Sequence, residues 1–275
     1  MHDGRITEHT VRSTRHCTAY LQAGAESDPL VVLVHGWPER AISWRHQINH
    51  LAELGYLVVA PDMRGYGNSE LHAEHRDCAI EEIVGDMLEL LGHFGRTSAI
   101  WIGHDWGSPV VWSIASHHPE AAAAVASLCV PYHPGGFTHE NLIHSHSQWM
   151  VRVSERGARP ADRHRRPGPI IVRRLRREGL SRNGFAGPAS CYPNDELNAE
   201  YAGRSFDGGR LDIPVLFIHA RYDQVCETLL SKLAQPTRAS CRNLDEAIVH
   251  SGPWMAQEQP AAVNTALETW LSGLD

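Results

Sequence analysis

Residues 100–112 read Ile-Trp-Ile-Gly-His-Asp-Trp-Gly-Ser-Pro-Val-Val-Trp. The apolar run Ser98–Ile102 predicts a strand, and Pro109–Ser116 predicts a helix that begins directly behind it. Two glycines flank the turn between them, as expected where the neighbouring positions leave no room for a Cβ. The pattern therefore predicts a sharp strand–turn–helix with Asp105 at its tip.

A carboxylate at such a tip has a chemical use. It is ionised at neutral pH, so it can attack an electrophilic carbon without a neighbouring base and form an ester with the substrate. An aspartate at this position is equally suited to capping the helix that follows. The residues upstream and downstream of Asp105 are needed to decide whether it is a nucleophile or a helix cap.

Length and charge limit the class of protein. The chain has 275 residues, enough for one large α/β domain with an insertion, and its formal net charge of −7 disfavours nucleic-acid binding. The sequence has no N-terminal apolar segment typical of a secretion signal and no apolar run of about 18 residues. We therefore expect no membrane partner and a cytoplasmic location.

The cysteines and histidines do not predict a metal site. The six cysteines are scattered without a Cys-x-x-Cys pair, which predicts free thiols rather than a zinc site or a disulfide framework. The nineteen histidines lack cysteine or carboxylate partners at ligand spacing. We expect neither a metal nor a cofactor.

Apolar segments alternate with amphipathic ones along most of the chain. Leu30–Val34 is a continuous apolar run of the kind found in strands covered on both faces. The remaining segments predict strands at Tyr56–Ala60, Ala122–Cys129, Pro214–Ala220 and Asp245–Val249, helices at Ala41–Leu54, Ala79–Phe94 and Pro260–Leu274, and an N-terminal antiparallel pair at Arg5–Arg12 and His16–Gln22. This order predicts an α/β fold whose mostly parallel sheet has helices on both faces.

The alternation stops between Pro131 and Gly209. We assign residues 1–130 and 210–275 to the core domain and residues 131–209 to an inserted helical lid over the carboxyl ends of the strands, where ligands bind in such sheets.

Three motifs in order then point to a family. The chain contains His35-Gly-Trp-Pro38, Asp62-Met-Arg-Gly-Tyr-Gly-Asn-Ser69 and Gly103-His-Asp-Trp-Gly107. Together they resemble the α/β-hydrolase fold, specifically the epoxide hydrolases. The resemblance implies that Asp105 attacks an apolar epoxide and that water then releases a diol. It leaves open whether the chain forms a homodimer.

The resemblance also implies roles for four further residues. The backbone N–H groups of Trp37 and Trp106 would form an oxyanion hole, Asp223 would orient the catalytic histidine, and Tyr192 would donate a hydrogen bond to the epoxide oxygen. Each residue also has a structural alternative. The tryptophans could be core residues, Asp223 a turn residue, and Tyr192 a packed lid residue.

The C-terminal motif departs from the family. Where epoxide hydrolases have Ser/Cys-Gly-His-Trp, this chain has Ser251-Gly-Pro-Trp254, so Pro253 occupies the position of the catalytic histidine. Proline cannot act as a base, and His250 could replace the histidine only if the loop were rerouted. We therefore expect hydrolysis of the Asp105 ester to be impaired, by about 10²–10⁴-fold in rate.

A second departure lies at Val151–Arg182, which has eleven arginines against three acidic residues. Its charge and its prolines predict a solvated, poorly ordered stretch. An arginine patch for an anionic partner and a drifted or frame-shifted segment are the alternatives.

Two other functions stay open at this stage. A haloalkane dehalogenase also uses an aspartate on this turn, although Trp37 stands where that family more often has a polar residue that contacts the halide. A non-catalytic protein that keeps the pocket as a ligand cavity is the other alternative, and Pro253 favours it.

Overall fold

The computed structural model describes residues 6–136 and 192–274. These residues contain eight strands in one sheet: β1 (Thr7–Arg12), β2 (Cys17–Ala23), β3 (Leu30–Val34), β4 (Leu57–Pro61), β5 (Ala99–His104), β6 (Ala122–Leu128), β7 (Leu211–Ala220) and β8 (Cys241–Val249). Their order is β1-β2-β4-β3-β5-β6-β7-β8. The β1–β2 and β2–β4 pairs are antiparallel and the remaining pairs are parallel. The predicted α/β-hydrolase architecture is confirmed for this part of the chain.

Helices cover both faces of the sheet. They are α1 (Arg45–Glu53), α2 (Ile80–His93), α3 (Gly107–His117), α4 (Asp195–Ala202), α5 (Gln235–Ser240), α6 (Met255–Glu258) and α7 (Pro260–Leu271). A 3₁₀ turn, Ala41–Trp44, precedes α1, so the helix predicted at Ala41–Leu54 begins with a tighter turn.

Strand β3 shows how the two faces are buried. Leu30, Val32 and Val34 pack into the cluster that contains α2 and α3, whereas Val31 and Leu33 pack into the cluster with α1 and α7. Alternate side chains of a strand point to opposite faces, so a strand without polar residues is buried on both sides. Each such side chain contributes roughly 1.5–3 kcal/mol to stability. The turn at the end of β5 therefore follows a strand that pairs with the fully buried β3.

Strands β7 and β8 begin earlier than predicted. The sequence placed the start of β7 at Pro214, but the strand begins at Leu211 and its register with β8 shifts between Leu211 and Pro214. Proline has no N–H to donate to the neighbouring strand, and the register shift at this point lets the strand continue past Pro214.

Two predictions fall on the rest of the chain. The arginine-rich segment Val151–Arg182 and residues 137–191 of the predicted lid lie outside the described residues, so both stay predictions. In the described ranges, no helix combines the length and the apolar character needed to cross a membrane.

Candidate active site

Asp105 lies on the turn between β5 and α3, as the sequence predicted. Its φ of 50° is in the left-handed region, which a residue with a Cβ rarely adopts and which marks functional turns. Glycine neighbours make this conformation feasible. A Cβ at Gly107 would overlap the carbonyl oxygen of Val34, and a Cβ at Gly36 would overlap the Asp105 side chain. The carboxylate is thus presented at the carboxyl end of the sheet against the backbone that follows β3.

Two backbone N–H groups point at this carboxylate. The Trp37 N–H donates to Asp105 Oδ1 at 2.7 Å, and the backbone N–H of Trp106, next to Asp105 in the chain, also favours its charged form. The pKa of Asp105 is raised, because desolvation by burial outweighs the nearby His104 and the two N–H groups, which act in the opposite direction. The two tryptophan N–H groups predicted from the motifs therefore converge on one carboxylate.

Tyr192 lies across the two tryptophan rings. Its ring is nearly perpendicular to that of Trp37, with centroids 6.1 Å apart, and to that of Trp106, with centroids 5.0 Å apart. Half of its side chain remains exposed. The three aromatic rings predicted as site residues are therefore brought together beside Asp105.

The segment that carries Tyr192 is fixed to the start of α2. Asn194 Nδ2 donates to the His75 carbonyl at 2.8 Å, and Asn198 Oδ1 accepts from the Ile80 N–H at 2.9 Å. These bonds, one from the 3₁₀ turn Tyr192–Asn194 and one from α4, tie the segment that carries Tyr192 to the core.

Asp223 follows β7 and is buried. Its Oδ1 accepts the N–H groups of Val225 at 2.7 Å and Cys226 at 3.1 Å, an arrangement typical of an aspartate that closes a turn. It also lies close to the buried Cys129 thiol: burial raises the pKa of Cys129, and the negative charges of Asp223 and Asp105 raise it further. Asp223 and Asp105 therefore both follow the carboxyl ends of their strands and lie near Cys129.

The Pro253 loop is held by two donors from the core. Its carbonyl oxygen accepts a hydrogen bond from His104 Nε2 at 2.7 Å and one from the Cys129 thiol at 3.0 Å. His250, by contrast, is exposed, and its ring packs near the exposed ring of Tyr222 with centroids 6.1 Å apart. The structure thus places Pro253 next to the site and the His250 side chain at the surface.

Sequence reasoning missed a buried ion pair beside the nucleophile position. Glu39 Oε2 lies 3.1 Å from His104 Nδ1, and both side chains are almost completely buried. Burial alone would lower the pKa of His104, but the bond and charge of Glu39 outweigh it and raise the pKa to about 9. His104 is the last residue of β5, and no local pattern links it to Glu39.

The comparisons with known proteins agree with this geometry. A family model described as the α/β-hydrolase fold matches residues 29–165. Epoxide hydrolase A of Mycobacterium tuberculosis is 32% identical over 99% of this chain and 99% of its own length. The chain belongs to the epoxide hydrolase family. Bifunctional epoxide hydrolase 2 of Sus scrofa is 30% identical over 89% of the chain, which spans 52% of that protein.

Solved structures of epoxide hydrolases share the fold. The crystal structure of epoxide hydrolase A from Mycobacterium thermoresistibile has a TM-score of 0.80 and 29% identity, covering 98% of this chain and 99% of that one. An epoxide hydrolase from an endophytic Streptomyces has a TM-score of 0.81 and 26% identity, with 99% and 96% covered. The family that the three motifs predicted is confirmed, and the roles of the individual residues stay predictions.

Proposed function

We propose that the protein opens epoxides by forming an ester on Asp105 and that this ester persists because the second half of the reaction lacks its base. The observation that carries the proposal is the placement of the Asp105 carboxylate. It lies on a left-handed turn, facing the Trp37 and Trp106 N–H groups, in a chain of the epoxide hydrolase family.

In the first step, an Asp105 oxygen attacks one carbon of the epoxide and forms a C–O ester bond. The bond between that carbon and the epoxide oxygen breaks, and the oxygen takes a proton from the Tyr192 hydroxyl. This step needs an ionised carboxylate and a proton donor, and no separate base. The ring contacts of Tyr192 with Trp37 and Trp106 support its assignment as that donor.

In the second step, water attacks the carbonyl carbon of the ester and negative charge develops on the carbonyl oxygen. The acyl C–O bond then breaks, which releases the diol and restores the Asp105 carboxylate. The Trp37 and Trp106 N–H groups are suited to stabilise this charge, and one such donor typically contributes ~3 kcal/mol. The attacking water also has to lose a proton. Pro253 offers no base for it, and Asp223 has no imidazole at that position to orient.

Neither His250 nor His104 replaces the missing base. His250 is exposed beside Tyr222. His104 has both ring nitrogens within hydrogen-bond distance of oxygen acceptors, Glu39 and the Pro253 carbonyl. Release of the diol is therefore the slow step, and the protein would consume about one epoxide per chain before it stalls. Capture of reactive epoxides in this way would be a detoxifying function.

Intact-protein mass spectrometry tests the proposal. The unmodified protein and Asp105→Asn are incubated with a panel of small apolar epoxides, and the protein mass is followed over time. We expect the unmodified protein to gain one epoxide mass and to keep it, and Asp105→Asn to gain none.

Other outcomes would lead to different functions. A protein that binds the epoxides without any mass gain would be a non-catalytic binding protein. Adducts formed from haloalkanes but not from epoxides would indicate dehalogenase chemistry. Efficient diol production without a lasting adduct would show that another residue supplies the base.

A further inference from the structure

A pocket lies between α3, α4 and the loop that follows β6, and we call it the α3–α4 pocket. Its wall includes Trp112 and Ser113 of α3, Asn198 of α4, and Tyr132 and His133 of the loop. The space inside is about 450 Å³, with the open space at its mouth included. Its described wall contains none of the residues assigned to the candidate active site, so it is a separate cavity.

Two buried aromatic rings make part of this wall apolar. The Trp112 Nε1–H group donates to the Val130 carbonyl at 3.1 Å, and the Tyr132 hydroxyl donates to the Gly209 carbonyl at 2.7 Å. The two rings pack together with centroids 5.3 Å apart. Because their polar atoms bond to the backbone, the rings are fixed in place and offer carbon surface to a ligand, as in most small-molecule sites.

The same wall contains a hydrogen-bond donor without an acceptor. The Asn198 side chain is only 6% exposed, and its Oδ1 accepts from the Ile80 N–H at 2.9 Å. This bond fixes the orientation of the amide, so Nδ2 is the donor end. Nδ2 donates to no atom in the part of the chain that the structure describes. A buried donor in this state is unfavourable, and an acceptor oxygen that reaches it forms a favourable bond.

The charges of the wall limit the ligand further. His133 Nδ1 accepts from the Gly135 N–H at 3.1 Å, and burial lowers the pKa of His133, so its ring is neutral with the proton on Nε2. No aspartate, glutamate, lysine or arginine is among the described residues of the wall. An anion or a cation would lose its hydration there without gaining a counter-charge, so the wall favours a neutral ligand.

We propose that the α3–α4 pocket binds a small neutral carbonyl compound, a ketone or an amide, whose oxygen accepts from Asn198 Nδ2. The Nδ2 atom is covered from solvent in this conformation. The oxygen therefore reaches it after a side-chain rearrangement of the wall, and such rotamer changes are common on binding. The bound molecule contacts both α3 and α4, and its apolar part packs on the ring of Trp112.

NMR titration of the unmodified protein with cyclopentanone tests the proposal. Two-dimensional ¹H–¹⁵N spectra follow two signals, the side-chain NH₂ group of Asn198 and the indole N–H of Trp112. We expect both signals to shift and to saturate together. Cyclopentane, which has the same ring without the oxygen, should bind about ten-fold more weakly, as the loss of one hydrogen bond allows.

Two variants remove the binding site in different ways. Asn198→Asp keeps an oxygen for the Ile80 N–H and removes the NH₂ donor, so the Trp112 signal should report about ten-fold weaker binding of cyclopentanone. Ser113→Phe fills the pocket from α3 without touching the Asn198 amide, and it should abolish binding. It also covers the case in which Asn198→Asp does not fold.

Asn264→Asp is the matched control for the first variant. Asn264 Oδ1 accepts from Gln47 Nε2 at 2.9 Å, between α7 and α1 on the opposite face of the sheet, so this change should leave the affinity for cyclopentanone unaltered. Asp105→Asn should also bind cyclopentanone as the unmodified protein does, because Asp105 is not part of the wall.

The contrary outcomes are distinct. Equal affinities for cyclopentanone and cyclopentane, or an unchanged affinity in folded Asn198→Asp, would show that the amide makes no bond to the ligand and would overturn the proposal. The absence of a saturable shift at Trp112 and Asn198 would also overturn it. Loss of binding in Asp105→Asn would place the ketone in the candidate active site instead. None of these results depends on whether Asp105 forms an ester.

Discussion

Replacing Pro253 with histidine should turn a protein that stalls into one that turns over. The backbone at this position is already fixed, because the Pro253 carbonyl accepts from His104 at 2.7 Å and from the Cys129 thiol at 3.0 Å. A new imidazole would therefore start from an anchored Cα, with Asp223 at the same carboxyl end of the sheet to orient it. Loss of the proline ring should lower the free energy of unfolding by only about 0.4–1 kcal/mol, because the unfolded chain gains conformational freedom.

Only the second step, hydrolysis of the Asp105 ester, should become faster in Pro253→His. A positioned base accelerates a proton transfer by about 10²–10⁴-fold, equivalent to roughly 3–5 kcal/mol in the barrier for ester hydrolysis. The first step uses Asp105 and Tyr192, which the substitution does not touch. Its rate should therefore change by no more than a few-fold.

Rapid-quench mass spectrometry and chromatography of the diol measure the two steps separately. The unmodified protein should show a single burst of adduct with little diol, and Pro253→His should show steady diol formation. Pro253→Ala is the matched control, since it removes the ring without adding a base, and it should behave like the unmodified protein. A folded Pro253→His variant with an unchanged rate of ester hydrolysis would refute this reasoning.

Three other predictions concern the same site. Because the His104 pKa of about 9 lies above its ordinary value, the Glu39–His104 pair should stabilise the fold fully below about pH 6.5, and the free energy of unfolding should fall by about 3 kcal/mol as pH rises through 9. Urea unfolding at several pH values should show this fall in the unmodified protein but not in Glu39→Gln. The same pH dependence in both proteins would contradict it. Tyr192→Phe should slow adduct formation by about 10²-fold or more, as the loss of an acid does, with an unchanged melting temperature; an unaffected rate would remove Tyr192 from the mechanism. Gly107→Ala should lower the free energy of unfolding by about 1–3 kcal/mol, because the new Cβ would overlap the Val34 carbonyl oxygen. A denaturation midpoint equal to that of the unmodified protein would show that the turn has room for a Cβ.

Much of the fold could be predicted because local pattern and tertiary environment agree. Leu30–Val34 was predicted as a doubly covered strand and is β3 with the same bounds. The helix predicted at Ala79–Phe94 is α2, Ile80–His93, because its apolar residues repeat at helical spacing and pack on the sheet. Pro214 misled the sequence reasoning, since a proline normally marks a strand end and here lies at an irregularity inside β7.

The candidate site was predictable only where a motif carries it. Asp105, Trp37 and Trp106 lie on turns whose glycines are visible in the sequence, and the structure brings them together. The Glu39–His104 pair was not predictable, because the two residues are 65 positions apart and meet only when β3 and β5 pair. Tertiary contact, rather than local pattern, selects the partner of a buried charge.

The central claim is that Asp105 forms an ester faster than the protein can hydrolyse it. Time-resolved peptide mapping by tandem mass spectrometry, after a single addition of an aryl-substituted epoxide to the unmodified protein, tests this claim most directly. The account predicts that the epoxide mass accumulates on Asp105 and is lost at least about 10²-fold more slowly than it forms. Modification confined to cysteines or histidines, or a diol that appears while Asp105 stays unmodified at every time point, would contradict it.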